Sequence, residues 1–140
     1  MMQHRPVYSS TKSESNTHLP HTGFALVLEP YIAAYHVDFF IVGHQHQYER
    51  THAVFNGTVT STGGSNATYI NPGAPVYVVQ GTSGAFVSGD WITPQPAWSA
   101  FRQGLDYGYG KMRVQGANSL SYEWIDVNGK VLDSFTILKQ

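Results

Sequence analysis

Apolar residues in the first third of the chain recur first with a helical and then with a strand pattern. Between positions 24 and 35 they stand at 24, 27, 28, 31, 32 and 35, which is the spacing of one helix face. Pro30 lies inside this segment and lacks a backbone donor, so we expect the helix to be kinked or interrupted near Glu29 and Pro30. Residues 37–42 form a short, almost continuous apolar run, which predicts a strand covered on both faces. The two segments together predict an αβ unit.

The rest of the chain has the pattern of strands joined by turns. Asn56-Gly57 between two apolar stretches predicts a small hairpin over residues 54–59, and Asn128-Gly129 predicts a second hairpin. Further strands are predicted at residues 76–80, 110–115, 119–126 and 130–138. Segments without a strand pattern, expected to be loops or irregular, are residues 11–22, 63–75 and 90–105. The chain is therefore expected to be mostly antiparallel β from residue 53 to residue 140.

The composition is that of one folded globular unit. The chain has 140 residues, of which 41% are hydrophobic and 12% charged, and this balance is too apolar for a disordered chain. Its net charge of −1 lacks the basic excess that binds nucleic acids and acidic membrane surfaces, and no apolar run is long enough to span a bilayer. We therefore expect residues 1–140 to form a single unit with no nucleic-acid or membrane partner.

Two short motifs bear on the cellular location. Asn56-Gly57-Thr58 and Asn66-Ala67-Thr68 are N-glycosylation sequons in a Gly/Ser/Thr-rich stretch, so Asn56 and Asn66 are candidate glycosylation sites of a secretory protein. The first six residues show neither the basic nor the apolar region of a signal peptide. We therefore expect that the protein stays inside the cell or that its natural N-terminus lies upstream. The chain has no cysteine, so it forms no disulfide.

The segment Gly43-His44-Gln45-His46 carries the candidate chemistry. It follows the predicted strand 37–42 directly, and binding sites in α/β sheets collect at the carboxyl ends of strands. A neutral imidazole is a common ligand of zinc, iron and manganese. Two histidines in this position therefore predict a metal-ligand pair, His44 and His46.

Four segments, in this order, carry a resemblance to a known family. They are His4-Arg5-Pro6-Val7-Tyr8-Ser9-Ser10, Gly43-His44-Gln45-His46-Gln47-Tyr48-Glu49-Arg50-Thr51, Val79-Gln80-Gly81-Thr82-Ser83-Gly84, and the ending from Tyr107-Gly108-Tyr109 to Gly129-Lys130-Val131. With them the chain resembles the carboxyl-terminal part of the purple acid phosphatases, which are calcineurin-like metallophosphoesterases. The resemblance implies part of an αββα sandwich, an α/β (α+β) fold with an αβ front and an antiparallel β back.

The resemblance also implies an activity and its metals. Members of the family hydrolyse phosphate monoesters at acidic pH with a dinuclear centre of iron and a divalent metal, which is Zn, Mn or Fe. By this resemblance His4 and His44 would bind the divalent metal, and His46 would bind the ferric ion. The motifs GDxG, GDxxY and GNH[ED], which supply the other ligands in the family, are absent from this sequence. We therefore expect at most one metal ion here, and a chain that is inactive alone.

Further residues take roles from the same resemblance. The family places a histidine near the phosphate or the leaving group, and the candidates here are His21, which we favour, and His18. Tyr48, Glu49 and Arg50 would hold the histidine loop in place, with a plain surface ion pair as the alternative.

Two more residues are interpreted from their positions. Asp38 is expected to be a buried strand residue bonded to nearby backbone or to Arg50. Gly81 and Gly84 are expected to be turn glycines that let the backbone pass close to the site or adopt a positive φ.

The sequence is also compatible with three other functions of the chain. The chain could be a mononuclear zinc protein with three histidine ligands, a non-catalytic interaction or structural fragment, or a relative with phosphodiesterase activity. Without the other half of the family's fold, an open sheet edge and exposed apolar surface are expected, which would favour poor solubility or self-association. The family and the sequons together favour a secreted or vacuolar location.

Overall fold

Two β-sheets and two short stretches of α-helix make up the fold in the computed structural model, which describes residues 1–13 and 15–140. The strands in these residues are β1 (Met2–Gln3), β2 (Phe39–Val42), β3 (Tyr48–Phe55), β4 (Thr58–Ser61), β5 (Thr68–Ile70), β6 (Val76–Gln80), β7 (Ser99–Gln103), β8 (Gly108–Gln115), β9 (Ser119–Asp126) and β10 (Val131–Leu138). The helices are α1 (Ser15–His18) and α2 (Gly23–Ala34), with a 3₁₀ turn at Ser65–Ala67. The fold is mixed α/β and mostly strand, as the sequence predicts.

The first sheet has the strand order β1-β2-β6-β3-β4, and β7 also pairs with β3. Strands β1, β2 and β6 run parallel, with Gln3 paired to Val42 and Val42 paired to Val79. The carboxyl ends of these three strands therefore meet at one edge of the sheet. Strand β3 turns back antiparallel to β6 and forms the predicted hairpin with β4 around Asn56-Gly57.

The second sheet has the order β5-β10-β9-β8, in which β5 is parallel to β10 and the other pairs are antiparallel. The predicted hairpin between β9 and β10 is confirmed. Its turn is closed by the Asp126 carboxylate, which accepts hydrogen bonds from the backbone N–H groups of Asn128 (2.9 Å) and Lys130 (2.8 Å).

Alternate side chains of the central strands pack on opposite faces of the first sheet. Phe40 and Val42 face α2 and belong to the same core as Ala25 and Ile32. Phe39 faces the second sheet, in a core that also contains Val76, Val78, Tyr122, Trp124, Phe135 and Ile137. Strand β2 is thus covered on both faces, which explains its nearly continuous apolar sequence.

Helix α2 runs unbroken through Pro30, so the predicted interruption is wrong. Proline leaves the carbonyl four residues earlier, that of Leu26, without an intrahelical donor. Leu26 and Pro30 are both exposed, so water can hydrate that carbonyl. In the described part of the chain no helix has both the length and the apolar composition to cross a bilayer.

Several elements lie where the sequence shows no clear pattern. Helix α1 lies in the expected loop 11–22, β5 in the expected loop 63–75, and β7 in the aperiodic stretch 90–105. Strand β7 is held by pairing with β3, which places Glu49 opposite Arg102. This pairing is a tertiary contact, which the local sequence does not predict.

The environment of Asp38 differs from the expectation. Its carboxylate lies 2.8 Å from Lys139 Nζ near the end of the chain, and both side chains are about half-exposed. Arg50 binds a different carboxylate, that of Asp133. The predicted buried Asp38 bonded to Arg50 is therefore wrong, because Asp38 precedes the buried part of β2 rather than lying within it.

Candidate metal centre

The candidate site lies where the parallel strands of the first sheet end. His4 follows β1, Gly43 and His44 follow β2, and Gly81 follows the last residue of β6. The backbone N–H of Gly43 donates to the carbonyl oxygen of His4 at 3.2 Å, which extends the β1–β2 pairing by one step. The residues that follow these strands therefore lie side by side at one sheet edge.

His4 and His44 contact each other directly. Nδ1 of His44 lies 3.1 Å from Nε2 of His4, and the two rings meet edge to face with centroids 4.9 Å apart. His44 has a φ of +68°, a left-handed conformation that is uncommon for a residue other than glycine. Such backbone conformations concentrate at functional sites. The contact brings together two imidazole nitrogens, the kind of atom that binds metals, from residues that lie before and after α2 in the chain.

Of the two predicted catalytic histidines, the structure brings His18 to this pair. The His18 side chain is fully buried, and its ring centroid lies 6.0 Å from that of His44 and 5.8 Å from that of Phe24, on which it stacks. The segment is anchored by the backbone N–H of Ser9, which donates to the His18 carbonyl at 2.9 Å. His21 is exposed and lies beside Gly57 at the tip of the β3–β4 hairpin.

His46 is directed elsewhere. Its ring meets the ring of Phe86 edge to face at 4.5 Å, and its carbonyl accepts a hydrogen bond from the Ser88 N–H at 2.8 Å. Among the described residues its buried Nδ1 has no hydrogen-bond partner. In this part of the chain no group of three or more His, Cys, Asp or Glu side chains is gathered closely enough to hold a metal ion. His4 and His44 are thus the two predicted ligands that touch.

The histidine loop rests on Gly81, as the sequence predicts. A methyl group at this position would overlap the carbonyl oxygen of Gln45, and the Gly81 N–H donates to the Gln47 carbonyl at 3.0 Å. The fully buried side-chain amide of Gln47 donates to the hydroxyls of Ser9 and Thr11. Sequence reasoning missed the role of these three side chains, because Gln, Ser and Thr are usually found at the surface.

Glu49 is fully buried and connects two segments of the chain. Its carboxylate accepts hydrogen bonds from the Ser10 N–H (2.8 Å), the Ser10 hydroxyl (2.6 Å) and the Ser99 hydroxyl (2.6 Å). Burial raises the pKa of the Glu49 carboxyl, and these hydrogen bonds act against the rise. Glu49 therefore fixes the segment that follows His4 against β3 and β7.

Tyr48 and Arg50 connect the two sheets. The Asp133 carboxylate of β10 accepts hydrogen bonds from Arg50 Nε (2.7 Å), Arg50 Nη2 (3.0 Å) and the Tyr48 hydroxyl (2.9 Å). A further Arg50 N–H donates to the Tyr69 hydroxyl at 2.8 Å. This ion pair is buried, unlike the surface ion pair considered as the alternative. The residues that Tyr48 and Arg50 bind, Asp133 and Tyr69, lie in the second sheet rather than on the histidine loop.

Comparison with known proteins places this chain in a family. A family model described as "Iron/zinc purple acid phosphatase-like protein C" matches residues 74–134. "Acid phosphatase type 7" of Danio rerio is 34% identical and aligns over 99% of this chain and 34% of its own length. "Probable inactive purple acid phosphatase 1" of Arabidopsis thaliana is 39% identical over 75% of this chain and 17% of its own length.

A solved structure shares the fold. The purple acid phosphatase from yellow lupin (Lupinus luteus) seeds superimposes with a TM-score of 0.86 and 27% sequence identity, over 99% of this chain and 24% of that chain. The fold and the histidine loop thus define a phosphatase-type α/β domain. The chain belongs to the purple acid phosphatases and corresponds to their carboxyl-terminal portion. It spans about a third of the length of the acid phosphatase type 7 relative.

Proposed function

We propose that this chain forms the carboxyl-terminal part of an acid phosphatase site that hydrolyses phosphate monoesters at a dinuclear metal centre. The contact between His44 Nδ1 and His4 Nε2, 3.1 Å long and located at the carboxyl ends of parallel strands, carries the proposal. Family membership supports the reaction class. We further propose that the 140 residues do not turn over phosphate esters by themselves.

The nitrogens of His4 and His44 fit a shared metal ion. Tetrahedral zinc binds imidazole nitrogen at about 2.0–2.1 Å, which separates two such nitrogens by roughly 3.3 Å. The observed separation of 3.1 Å is close to that value. A bound divalent ion would supply Lewis-acid activation of the phosphate ester and would lower the pKa of a bound water.

The other histidines have proposed roles that follow from their positions. His18 lies beside His44 and is well placed to contact the phosphate or to protonate the leaving oxygen, whereas His21 lies by the β3–β4 hairpin. For the complete dinuclear site of the family, we propose His46, whose buried Nδ1 lacks a partner among the described residues, as the ligand of the iron ion. Since the GDxG, GDxxY and GNH[ED] motifs are absent from this sequence, the carboxylates that would keep two cations close are missing, and we expect at most one ion.

Zinc titration of the purified chain, followed by calorimetry, tests the site. We expect one ion per chain, and His4→Ala or His44→Ala should weaken binding by more than about tenfold, because even outer-shell changes cost that much. His36→Asn is the matched control, since His36 is exposed, lies beyond α2 and has a φ of +50° that asparagine tolerates. Zinc binding that is unchanged in His44→Ala would refute the site.

The same preparation tests the claim of inactivity. With zinc, manganese or iron added, p-nitrophenyl phosphate should be hydrolysed no faster than by the metal alone. Two bound ions and a turnover that disappears in His44→Ala would overturn the claim.

A mononuclear zinc protein is the second candidate function. The contact between two imidazoles, in a described region that gathers no carboxylate with them, favours a single ion. One tightly bound zinc without phosphatase activity would support this function, and an equally stable fold without zinc would favour a structural fragment.

Modification and location are also proposals. Asn56 and Asn66 are both exposed and have φ values of +48° and +56°, so their side chains lie in turns that a glycosyltransferase can reach. We propose that both carry N-glycans and that the protein is secreted or vacuolar. Residues 1–140 are proposed to be one unit of the family's catalytic domain.

A further inference from the structure

The face of the second sheet that points away from the first sheet carries a row of polar side chains. Strand pairing aligns one residue from each of the four strands: Thr68, Thr136, Ser121 and Arg113. The next residues on β9 and β10, Tyr122 and Phe135, pack into the core between the sheets. Because successive side chains of a strand point to opposite faces, this polar row lies on the outer face.

The polar row lines a groove of about 390 Å³, here called the outer groove, together with Glu123 and Ser134. This volume lies within the range of about 300–1,000 Å³ that is usual for ligand sites. The side chains of Thr68, Ser121 and Thr136 are half-buried, and their hydroxyls make no hydrogen bond to another described residue. A hydroxyl both donates and accepts, so the outer groove offers hydrogen bonds that the fold does not use.

An exposed asparagine also lines the outer groove. It is Asn66, the acceptor residue of the sequon Asn66-Ala67-Thr68, and the third residue of this sequon belongs to the polar row. A sugar attached to the Asn66 side chain would therefore begin at the outer groove. On the basis of the proposed glycosylation of Asn66, we propose that the first sugars of its N-glycan pack into this groove and hydrogen-bond to the polar row.

A tethered sugar suits the outer groove better than a free ligand or a protein partner. Its two aromatic residues, Tyr122 and Phe135, are only 1% and 2% exposed, so neither ring is available for a ligand to stack on. Hydrogen bonds alone contribute little net affinity in water, but a covalent tether gives the sugar a high effective concentration. Protein partners are usually anchored by aromatic or apolar side chains, and the residues that line the outer groove expose no large one.

Enzymatic trimming of the folded glycoprotein tests the proposal. The chain is secreted from yeast behind a cleavable leader, and mass spectrometry measures the glycan occupancy of Asn56 and Asn66. Endoglycosidase H then cuts between the first two sugars, with Asn56 as the reference within each sample. Ser121→Ala/Thr136→Val should accelerate release at Asn66 about tenfold, because a glycan docked for nine-tenths of the time is open to the enzyme for one-tenth. Ser119→Ala is the matched control, since Ser119 is half-buried on the same face of β9 but lies outside the outer groove.

Each of three results would overturn the proposal: an Asn66 without a glycan, a release rate at Asn66 that the double variant leaves unchanged, and an equal acceleration by Ser119→Ala. Thr136→Val alone, which keeps the shape of the side chain, should act in the same direction as the double variant. Circular dichroism checks that every variant is folded. An empty Asn66 would refute the proposed glycosylation, whereas an occupied Asn66 with unchanged trimming would refute only the docking.

Discussion

Nδ1 of His44 lies 3.1 Å from Nε2 of His4, although forty positions separate the two residues in the chain. The contact follows from the parallel pairing of β1 with β2, in which Gln3 is opposite Val42. Each histidine lies one or two residues beyond its paired strand, so both side chains reach the same sheet edge. Changes that move either strand end should therefore separate the two histidines.

The support of the histidine loop by Gly81 can be tested with one methyl group. Gly81→Ala should overlap the Gln45 carbonyl oxygen and displace the loop, with a loss of about 1–3 kcal/mol in the free energy of unfolding and weaker zinc binding. Gly43→Ala lies in the same loop, but a methyl group there meets nothing within 4 Å, so it should leave both properties unchanged. Urea unfolding and zinc calorimetry measure the two effects, and equal behaviour of the variants would contradict the role of Gly81.

The ion pair between Arg50 and Asp133 should dominate the electrostatic contribution to stability. Its side chains are 8% and 7% exposed, whereas those of the Lys111–Glu123 pair are 42% and 39% exposed at a similar distance. Asp133→Ala leaves a buried guanidinium unpaired and should cost about 3–5 kcal/mol. Glu123→Ala should cost less than about 1 kcal/mol. Chemical denaturation of both variants measures the two losses in the free energy of unfolding. Similar losses would show that burial does not determine how much an ion pair contributes to stability.

Glu49 offers a test of hydrogen bonding without a change of shape. Glu49→Ala leaves the buried Ser10 N–H without its acceptor and should cost at least about 1–3 kcal/mol. Glu49→Gln should be milder, because its amide oxygen can accept from the Ser10 N–H while its NH₂ donates to the hydroxyls of Ser10 and Ser99. Thermal unfolding of both variants is the measurement. A glutamine variant as unstable as the alanine variant would mean that the charge itself is required.

His52 should make the fold less stable in acid. Burial, followed by the charge of Arg50, lowers the pKa of His52 below its ordinary value of 6.5, so the unfolded chain binds a proton at this residue before the folded chain does. Stability should therefore fall as the pH decreases from 6.5 toward the lower pKa of the folded state, and should not depend on His52 above that window.

The variant His52→Gln isolates this effect. Urea midpoints measured from pH 7.5 down to about pH 5 should fall less steeply in this variant than in the wild-type chain. His36→Asn, which removes an exposed histidine, is the control for the loss of a histidine as such. Parallel curves for wild type and His52→Gln would exclude the contribution of His52.

Periodicity predicted the elements whose pattern is local. Helix α2 and strands β2, β6, β8, β9 and β10 lie within two residues of their predicted bounds. Both Asn-Gly turns are confirmed, but β3 begins at Tyr48, six residues before the predicted start of the first hairpin. Strand β7 was missed because its stability comes from pairing with β3. The interruption at Pro30 was predicted wrongly because the effect of a proline depends on which helix face it occupies.

By itself, the sequence determined that a histidine loop follows a buried strand and that the chain resembles the end of a purple acid phosphatase. The first follows from the order of apolar residues and histidines along the chain, and the second rests on the resemblance of four sequence segments to the family. Only the tertiary structure decided that His44 meets His4 and His18, that His46 turns to Phe86, and that a row of hydroxyls lies beside Asn66. These relationships depend on the strand register and on how the loops pack, and both are set by contacts between residues far apart in the chain.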